Sequence, residues 1–511
     1  MSLGLQHVRA RLGARQLTRR YGPVVANDRI DFAAAPGTIH AVVGGNGAGK
    51  STLMRILQGV DQPDEGSVIL NDEPVRLSGP ADAFRCGIGM VHQEFMLAPP
   101  LTLLENLILA REPMSHGLID RRAALAAGEA LAATAGVRID WNLRVADAPV
   151  HVRQILEILR LMYRGADVLI LDEPTAVLAP QQIEELLALM RKLKAEGRTI
   201  LFISHKLEEV MSVADAITVM RSGQVVTTTR PSETSAAALA EAMVGEPVET
   251  PRIASQPRAS TTPLVSARAL VAHDSLGARR LGPVDLDIFP GEIVGIAGVG
   301  GNGQDELVAC LAGLATPSAG KLTFAGQDMT GQRAARFRAA GVGYVSADRA
   351  EEGLCLTASI RDNFIAGRER SPDYSRLGWL RPGAIRASTK SAMQRLSVRY
   401  GDMANPVSSL SGGNQQRVVI ARELEREPRL LIAAQPTRGV DIAGAAFIHG
   451  LIASFRDRGG AVLLVSEQLD ELLALSDRVL AIYGGAFVGE TARGVADVES
   501  IGLMMLGQRA A

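Results

Sequence analysis

Residues 44–52 read GGNGAGKST, and their reading decides the fold. They fit the pattern G-x-x-x-x-G-K-[ST], with Gly44, Gly49, Lys50 and Ser51 in the required places. The run that leads into them, HAVVG at 40–44, is apolar and of strand length, and the residues that follow read as a helix. Strand, glycine-rich turn and helix form the context in which backbone N–H groups from Gly44, Gly45, Asn46, Gly47, Ala48 and Gly49 close around a phosphate. The helix N-terminus at Lys50, Ser51 and Thr52 adds a partial positive charge. In this pattern Lys50 reaches the terminal phosphates of a nucleotide and the Ser51 hydroxyl ligates Mg²⁺.

A second glycine-rich loop follows at 298–306, GVGGNGQDE, but Gln304 and Asp305 stand where the lysine and serine belong. The two loops are part of an internal duplication. An offset of 254 pairs PGTIH at 36–40 with PGEIV at 290–294, and Gly59 with Gly313. Further along the offset becomes 262, pairing Asp215 with Asp477. The sequence thus predicts a first domain over 1–248, a linker over 249–262 and a second domain over 263–511. EPVETPRIASQPRASTTP, 246–263, carries four prolines and no hydrophobic periodicity, as a linker does.

Bulk properties narrow the class. At 47% hydrophobic and 21% charged the composition is that of a soluble globular chain. A net charge of −1 leaves no basic surplus for a nucleic-acid backbone. Cys86, Cys310 and Cys355 lie far apart, and are expected to be reduced, buried thiols of a cytosolic protein. The N-terminal twenty residues have no apolar centre of a signal peptide, and no apolar run approaches the length that crosses a bilayer. Any membrane role therefore needs a partner.

Each half mixes short apolar strands with helices, an α/β pattern. RTILFISH at 198–205 is another buried strand. Ile183, Leu186, Leu187, Met190 and Leu193 give one apolar helix face, with Pro180 at its first turn and Gly197 past its end. Residues 95–165 read as a mostly helical inserted subdomain.

Further chemistry sits at strand ends. ADVLILDEPT, 166–175, is an apolar strand ending in Asp172, which can hold Mg²⁺, and Glu173, which can polarise an attacking water. His205, at the end of ISH, is placed to contact a γ-phosphate, and Gln93, in GMVHQE, to sense the metal and water. Tyr21, in TRRYG, is a candidate to stack on adenine. The second half contains LSGGNQQ at 410–416.

With that string the chain resembles ABC transporter ATPases with two fused nucleotide-binding domains. The resemblance covers nearly the whole sequence. It implies two tandem P-loop ATPase domains, each with a RecA-like α/β core and a helical subdomain. It implies ATP and Mg²⁺ as ligands. In that family two ATPase domains pack head to tail, and each ATP lies between the P-loop of one and the signature of the other. Ser411, Gly412, Gly413 and Gln415 would then face the nucleotide held by the first half, with Asp441 nearby.

The damage in this chain follows that geometry. The second half has Gln304 for Lys50, Asp305 for Ser51, Ala347 for Gln93, Ala434 for Asp172, Gln435 for Glu173 and Glu467 for His205. The first half has Ala148-Pro149-Val150-His151 where LSGG would stand. All of these fall in one composite site, leaving the other complete, so the two halves are expected to pair within one chain.

By resemblance the partners are membrane permease subunits and an extracytoplasmic solute-binding protein, and the place of work is the cytoplasmic face of the membrane. FMLAPPLTLLENLILA, 95–110, lies where such ATPases receive the permease. Fused double domains of this kind are similar to simple-sugar importers, such as those for ribose. MYRGADVLILDEPTAVLAP (162–180), LLIAAQPTRGVD (430–441) and VSEQLDELLALSD (465–477) pull towards the purine-nucleoside branch. His151 and Ser346-Ala347 depart from that branch's usual residues. Soluble twin ABC ATPases are the other class: the short, Pro-rich, nearly neutral linker speaks against the ribosomal kind, and the lack of zinc-type cysteine pairs or long coiled coils against the DNA-repair kind.

Overall fold

The computed structural model describes residues 11–22, 24–92, 95–175, 178, 180–204, 206–245, 247, 260–274, 277–494, 498–505 and 507. Gln93, His205 and most of the expected linker lie outside the described residues. The chain divides into two compact units, Met1–Val248 and Glu249–Ala511.

In the first unit a six-stranded sheet runs in the order Gln224–Thr229, Ala216–Arg221, Ile39–Gly44, Thr199–Ile203, Val168–Asp172, Ile88–Val91. All neighbours pair parallel except the edge strand Gln224–Thr229. Parallel strands are covered on both faces, which is why they read as continuous apolar runs rather than as alternation. Ile39, Ala41, Val42 and Val43 are all fully buried. A second, antiparallel sheet has the order Val24–Ala34, Leu12–Tyr21, Glu65–Leu70, Glu73–Val75. The helix Lys50–Leu57 packs into a core shared with both sheets, through Leu53, Met54, Ile56 and Leu57.

The expected helix spans Pro180–Ala195 and stops before Gly197, at φ 90°. Leu186, Leu187, Met190 and Leu193 are buried, and Leu189 joins them, so the apolar face is wider than the sequence periodicity indicated. The inserted subdomain is built from the helices Leu103–Ile108, Arg121–Ala135 and Val150–Tyr163, plus a two-stranded hairpin, Met114–Ser115 with Leu118–Ile119. Its first helix starts at a reciprocal cap between Thr102 and Glu105. Gly128 in its second helix packs closely: a Cβ there would lie 3.0 Å from the buried Trp141 ring.

The second unit repeats the plan. Its six strands run Val342–Val345, Leu430–Ala434, Ala461–Ser466, Ile293–Ala297, Arg478–Tyr483, Ala486–Ala492. Its antiparallel sheet is Arg279–Ile288, Val265–His273, Ala319–Phe324, Gln327–Asp328. The expectation of three buried thiols holds only for Cys310, whose pKa burial pushes up to about 11. Cys86 is half-buried, and Cys355 is exposed because it sits in a loop leading to the helix Ile360–Ile365.

Candidate functional site

The sheet of the first unit gathers the candidate residues at the C-terminal ends of its parallel strands. Gly44 ends one strand, Ile203 its neighbour and Asp172 the next, with Ile203 in register with both Val42 and Asp172. Three chain segments distant in sequence therefore emerge side by side.

The glycine-rich loop is shaped by close approach. A Cβ at Gly44 would lie 2.3 Å from the Met220 carbonyl, and one at Gly49 would lie 2.3 Å from the Ala26 carbonyl. Gly47 and Gly49 have φ of 78° and 94°, a region that favours glycine. The buried Asn27 side chain donates to the Gly49 carbonyl at 3.1 Å and fixes the loop's exit. Lys50 is 8% exposed, and its Nζ donates to the carbonyls of Gly44 at 2.6 Å and Gly45 at 3.0 Å. Its ammonium is thus held over the loop rather than in solvent. The helix that follows has no acidic residue in its first turn, so its N-terminal partial charge is left uncancelled. Ser51 is exposed at that terminus.

Asp172 and Glu173 lie next to one another at the strand end. Burial, then the charge of Glu173, push the Asp172 pKa up to about 6, with Lys50 opposing them. A partly buried carboxylate beside a like charge is a group in want of a cation. Glu173 has φ of +47°, uncommon for a residue other than glycine, and its N–H donates to the Ile203 carbonyl at 3.0 Å. Such local strain persists where the surroundings over-determine it, and here it turns the residue out of the strand at its C-terminal end.

Sequence reasoning missed a latch behind this turn. The Thr175 hydroxyl donates to Glu209 at 2.6 Å, and Lys206 Nζ lies 3.2 Å from the same carboxylate. Lys206 also donates to the Thr175 carbonyl at 3.3 Å. The latch ties the segment after Glu173 to the helix Leu207–Val213. A signal was present in the sequence, since the offset of 262 pairs Thr175 with Thr437 and Glu209 with Glu471. Thr437 donates to Glu471 at 2.8 Å.

Tyr21 ends its strand with the ring 42% exposed. Its hydroxyl donates to Asp61 at 2.5 Å, and the Arg19 guanidinium sits 4.9 Å from the ring centroid. Asp61 also accepts from Arg55 of the loop's helix at 2.9 Å.

The second unit keeps the scaffold with different side chains on it. Gly303 precedes its helix Gln304–Leu311 with φ of 103°, as Gly49 does in the first unit. Gln304, 5% exposed, folds back into its own loop. Its Nε2 donates to the Val299 carbonyl at 2.8 Å and its Oε1 accepts from the Asn302 N–H at 3.1 Å. The loop therefore spends a backbone donor on its own side chain, at the position equivalent to Ala48. Asp305 and Glu306 occupy the first helical turn and cancel the partial charge that would attract phosphate. Gln435 repeats the strained φ of +47° and its N–H donates to Val465 at 2.8 Å, though the carboxylate is gone.

The signature segment begins the helix Gly412–Leu424, with Ser411 as its N-cap. That turn contains no acidic residue, and the Ser411 hydroxyl accepts from Asn414 at 2.9 Å. Gln415 folds back towards this end, donating to the Leu410 carbonyl just before the cap at 3.1 Å. Arg349, which sequence reasoning did not single out, lies against Gly412 and donates to the Arg438 carbonyl at 2.8 Å. Asp441 caps the helix Ile442–Asp457 through the Gly444 N–H at 2.8 Å. In the first unit the corresponding helix starts after Pro149, and His151 contacts Gln182 at 3.1 Å.

Comparison with known proteins agrees with this geometry. The chain is 39% identical to the nucleoside import ATP-binding protein NupA of Lactococcus lactis subsp. cremoris, over 96% of this chain and 97% of the relative. It is 39% identical to the guanosine import ATP-binding protein NupO of Bacillus subtilis, with 96% of each chain covered. It is 41% identical to the glucose import ATP-binding protein TsgD13 of Haloferax volcanii, over 96% of this chain and 94% of the relative. A similar fold occurs in the crystal structure of an archaeal ribosome recycling factor, aABCE1, with a TM-score of 0.62, 18% identity, and 93% and 90% of the two chains covered. Residues 27–176 and 281–438 each match the family model described as ABC transporter, so this chain, with one complete P-loop and one that has lost its lysine, belongs to the ABC transporter family.

Proposed function

We propose that this chain is the ATP-hydrolysing subunit of an importer that takes up nucleosides through separate membrane permease subunits, and that it works through a single composite ATP site. The observation that carries the reading is the one-sidedness of the losses. Lys50, Ser51, Asp172 and Glu173 are intact in the first unit, and LSGG in the second, while Gln304, Asp305, Ala434, Gln435 and Val150-His151 would all belong to the opposite site.

In this reading the loop from Gly44 to Gly49 cradles the phosphates, and Lys50 moves from the Gly44 and Gly45 carbonyls to the β- and γ-phosphates. Ser411, Gly412 and Gly413 close on the γ-phosphate from the second unit. Glu173 orients the attacking water, His205 and Gln93 take the assisting roles their motifs imply, and Tyr21 stacks on the adenine. The residues present fit Mg²⁺: a partly buried carboxyl with a raised pKa, Asp172, and an exposed hydroxyl at a helix N-terminus, Ser51. Asp172, Ser51 and Gln93 would hold the ion, and it would supply positive charge against the phosphates. Hydrolysis removes the bridge between the two faces and lets them part.

No helix among the described residues is long and apolar enough to cross a membrane. In this reading, supported by relatives named as import ATP-binding proteins, solute movement falls to permease subunits and an extracytoplasmic binding protein, with this chain on the cytoplasmic face. In the stretch 95–110, Leu97, Leu103, Leu104, Leu107 and Ile108 are core, whereas Met96 and Leu109 are exposed and free to meet the permease. Simple-sugar uptake is the second reading, favoured by the 41% identity to a relative named for glucose import.

Uptake of labelled purine nucleosides, glucose and ribose separates the two. Cells lacking this chain should lose nucleoside uptake, and the native chain but not Glu173→Gln should restore it. Loss of sugar uptake with nucleoside uptake intact would reject the nucleoside reading and keep the ATPase.

A further inference from the structure

The duplication allows one comparison inside the molecule: what both halves keep although their nucleotide motifs diverged. Both keep a short hairpin in the helical subdomain. In the first unit Met114–Ser115 pairs with Leu118–Ile119 around a His116-Gly117 turn. In the second Ser375–Arg376 pairs with Trp379–Leu380 around Leu377-Gly378. The φ values are 52° and 80° at the first turn, and 52° and 85° at the second, the conformation that favours Asn-Gly.

Neither folding nor turn chemistry accounts for the residues found there. Leu377 occupies a left-handed position that leucine seldom takes, and it is 93% exposed. Trp379 is 82% exposed and Leu380 49%. Leu118 and Ile119, at the corresponding places, are 74% and 51% exposed. Apolar groups raised on a turn and kept in both copies are a surface for something.

Charge says what kind of surface they meet. Over residues 369–386 four exposed arginines, Arg370, Arg376, Arg381 and Arg386, stand with two exposed carboxylates, Glu369 and Asp373, a local net charge of +2 in a chain whose total is −1. Arg376 is the direct cross-strand partner of Trp379, so a cation and an indole share one face of the hairpin. Tryptophan and leucine among arginines is the pattern that seats at the boundary between anionic headgroups and acyl chains. We propose that the Ser375–Leu380 hairpin is a membrane-surface anchor, with Leu377 and Trp379 entering the headgroup boundary of an anionic bilayer and Arg376 and its neighbours lying against lipid phosphates. The proposal stands whether the transported solute is a nucleoside or a sugar.

The chain supplies its own probe. It has two tryptophans, and Trp141 is buried, so a change in emission on membrane binding reports Trp379. The full chain is mixed with vesicles of phosphatidylcholine alone or with about one third phosphatidylglycerol. The expected result is a blue shift of Trp379 emission and sedimentation with the anionic vesicles at least about tenfold above the neutral ones, weakened by salt. Leu377→Ser with Trp379→Ser should reduce sedimentation about tenfold while nucleotide binding is unchanged, and Arg376→Glu should lower it by a factor of about five or more. An unshifted emission of the native chain on anionic vesicles overturns the proposal, without need of any variant. So does hairpin-dependent binding seen only with vesicles that contain permease, which would give the surface to a protein partner.

Discussion

Replacing Asp172 by asparagine should make the nucleotide-free protein more stable and inactive at once. In the fold the Asp172 carboxyl has its pKa raised from the ordinary 3.8 to about 6, first by burial and then by Glu173. The folded state therefore holds a proton that the unfolded chain has released, over the range between those values. Stability from this group is present below pH 3.8 and is lost as the pH rises through 6. At 1.36 kcal/mol for each tenfold change in proton affinity, the loss at pH 7.5 is about 3 kcal/mol, and at pH 5 about 1.6 kcal/mol. Asparagine has no charge to desolvate, so Asp172→Asn recovers most of that. For a unit of this size about 2 °C accompanies each kcal/mol, which gives a rise in Tm near 6 °C at pH 7.5 and about half of it at pH 5. Thermal unfolding of both proteins without nucleotide across this pH range is the assay. ATP turnover should be lost, because the amide cannot take the place of a carboxylate beside a divalent cation. An equal or lower Tm at pH 7.5, or a gain that does not shrink on acidification, would refute the argument that this carboxylate is strained in the empty site.

The remaining predictions concern the loops and the asymmetry. Gly49→Ala places a Cβ 2.3 Å from the Ala26 carbonyl at a φ of 94°, and should cost about 2 kcal/mol or more in stability and abolish ATP binding, measured by unfolding and by equilibrium dialysis. The native chain should bind one ATP, not two, because Gln304 already occupies Val299 and Asn302 within its own loop; two equivalents in dialysis would overturn that reading. Ser411→Arg should abolish turnover, whereas His151→Gly, which removes only a contact to Gln182, should leave it within about twofold, an amount worth less than 0.5 kcal/mol. A several-fold rise in the His151→Gly variant would argue for a second working site.

Much of the fold could be read from the chain itself because its signals are local. A P-loop is a strand, a turn and a helix start within thirteen residues, and Gly44, Gly49 and Lys50 must be those types for steric and electrostatic reasons that hold in any protein. Parallel strands buried on both faces read as apolar runs, and two offsets locate the second copy of everything. Lys50 and Asp172 therefore stand out in the string, and so do Gln304 and Ala434 at the matching positions. What only the tertiary structure decided is how side chains settle where the sequence leaves several partners open. Nothing in the string GNGQDE says that Gln304 turns inward and takes a backbone N–H from its own loop, since glutamine there could equally face solvent. Nothing local marks Thr175, Lys206 and Glu209 as one latch, or sets Arg349 against Gly412, because those groups meet only when separate strands and helices converge. The raised pKa of Asp172 has the same origin: its cause is burial and a neighbour's charge, and the burial exists only once the sheet and its helices have closed around it.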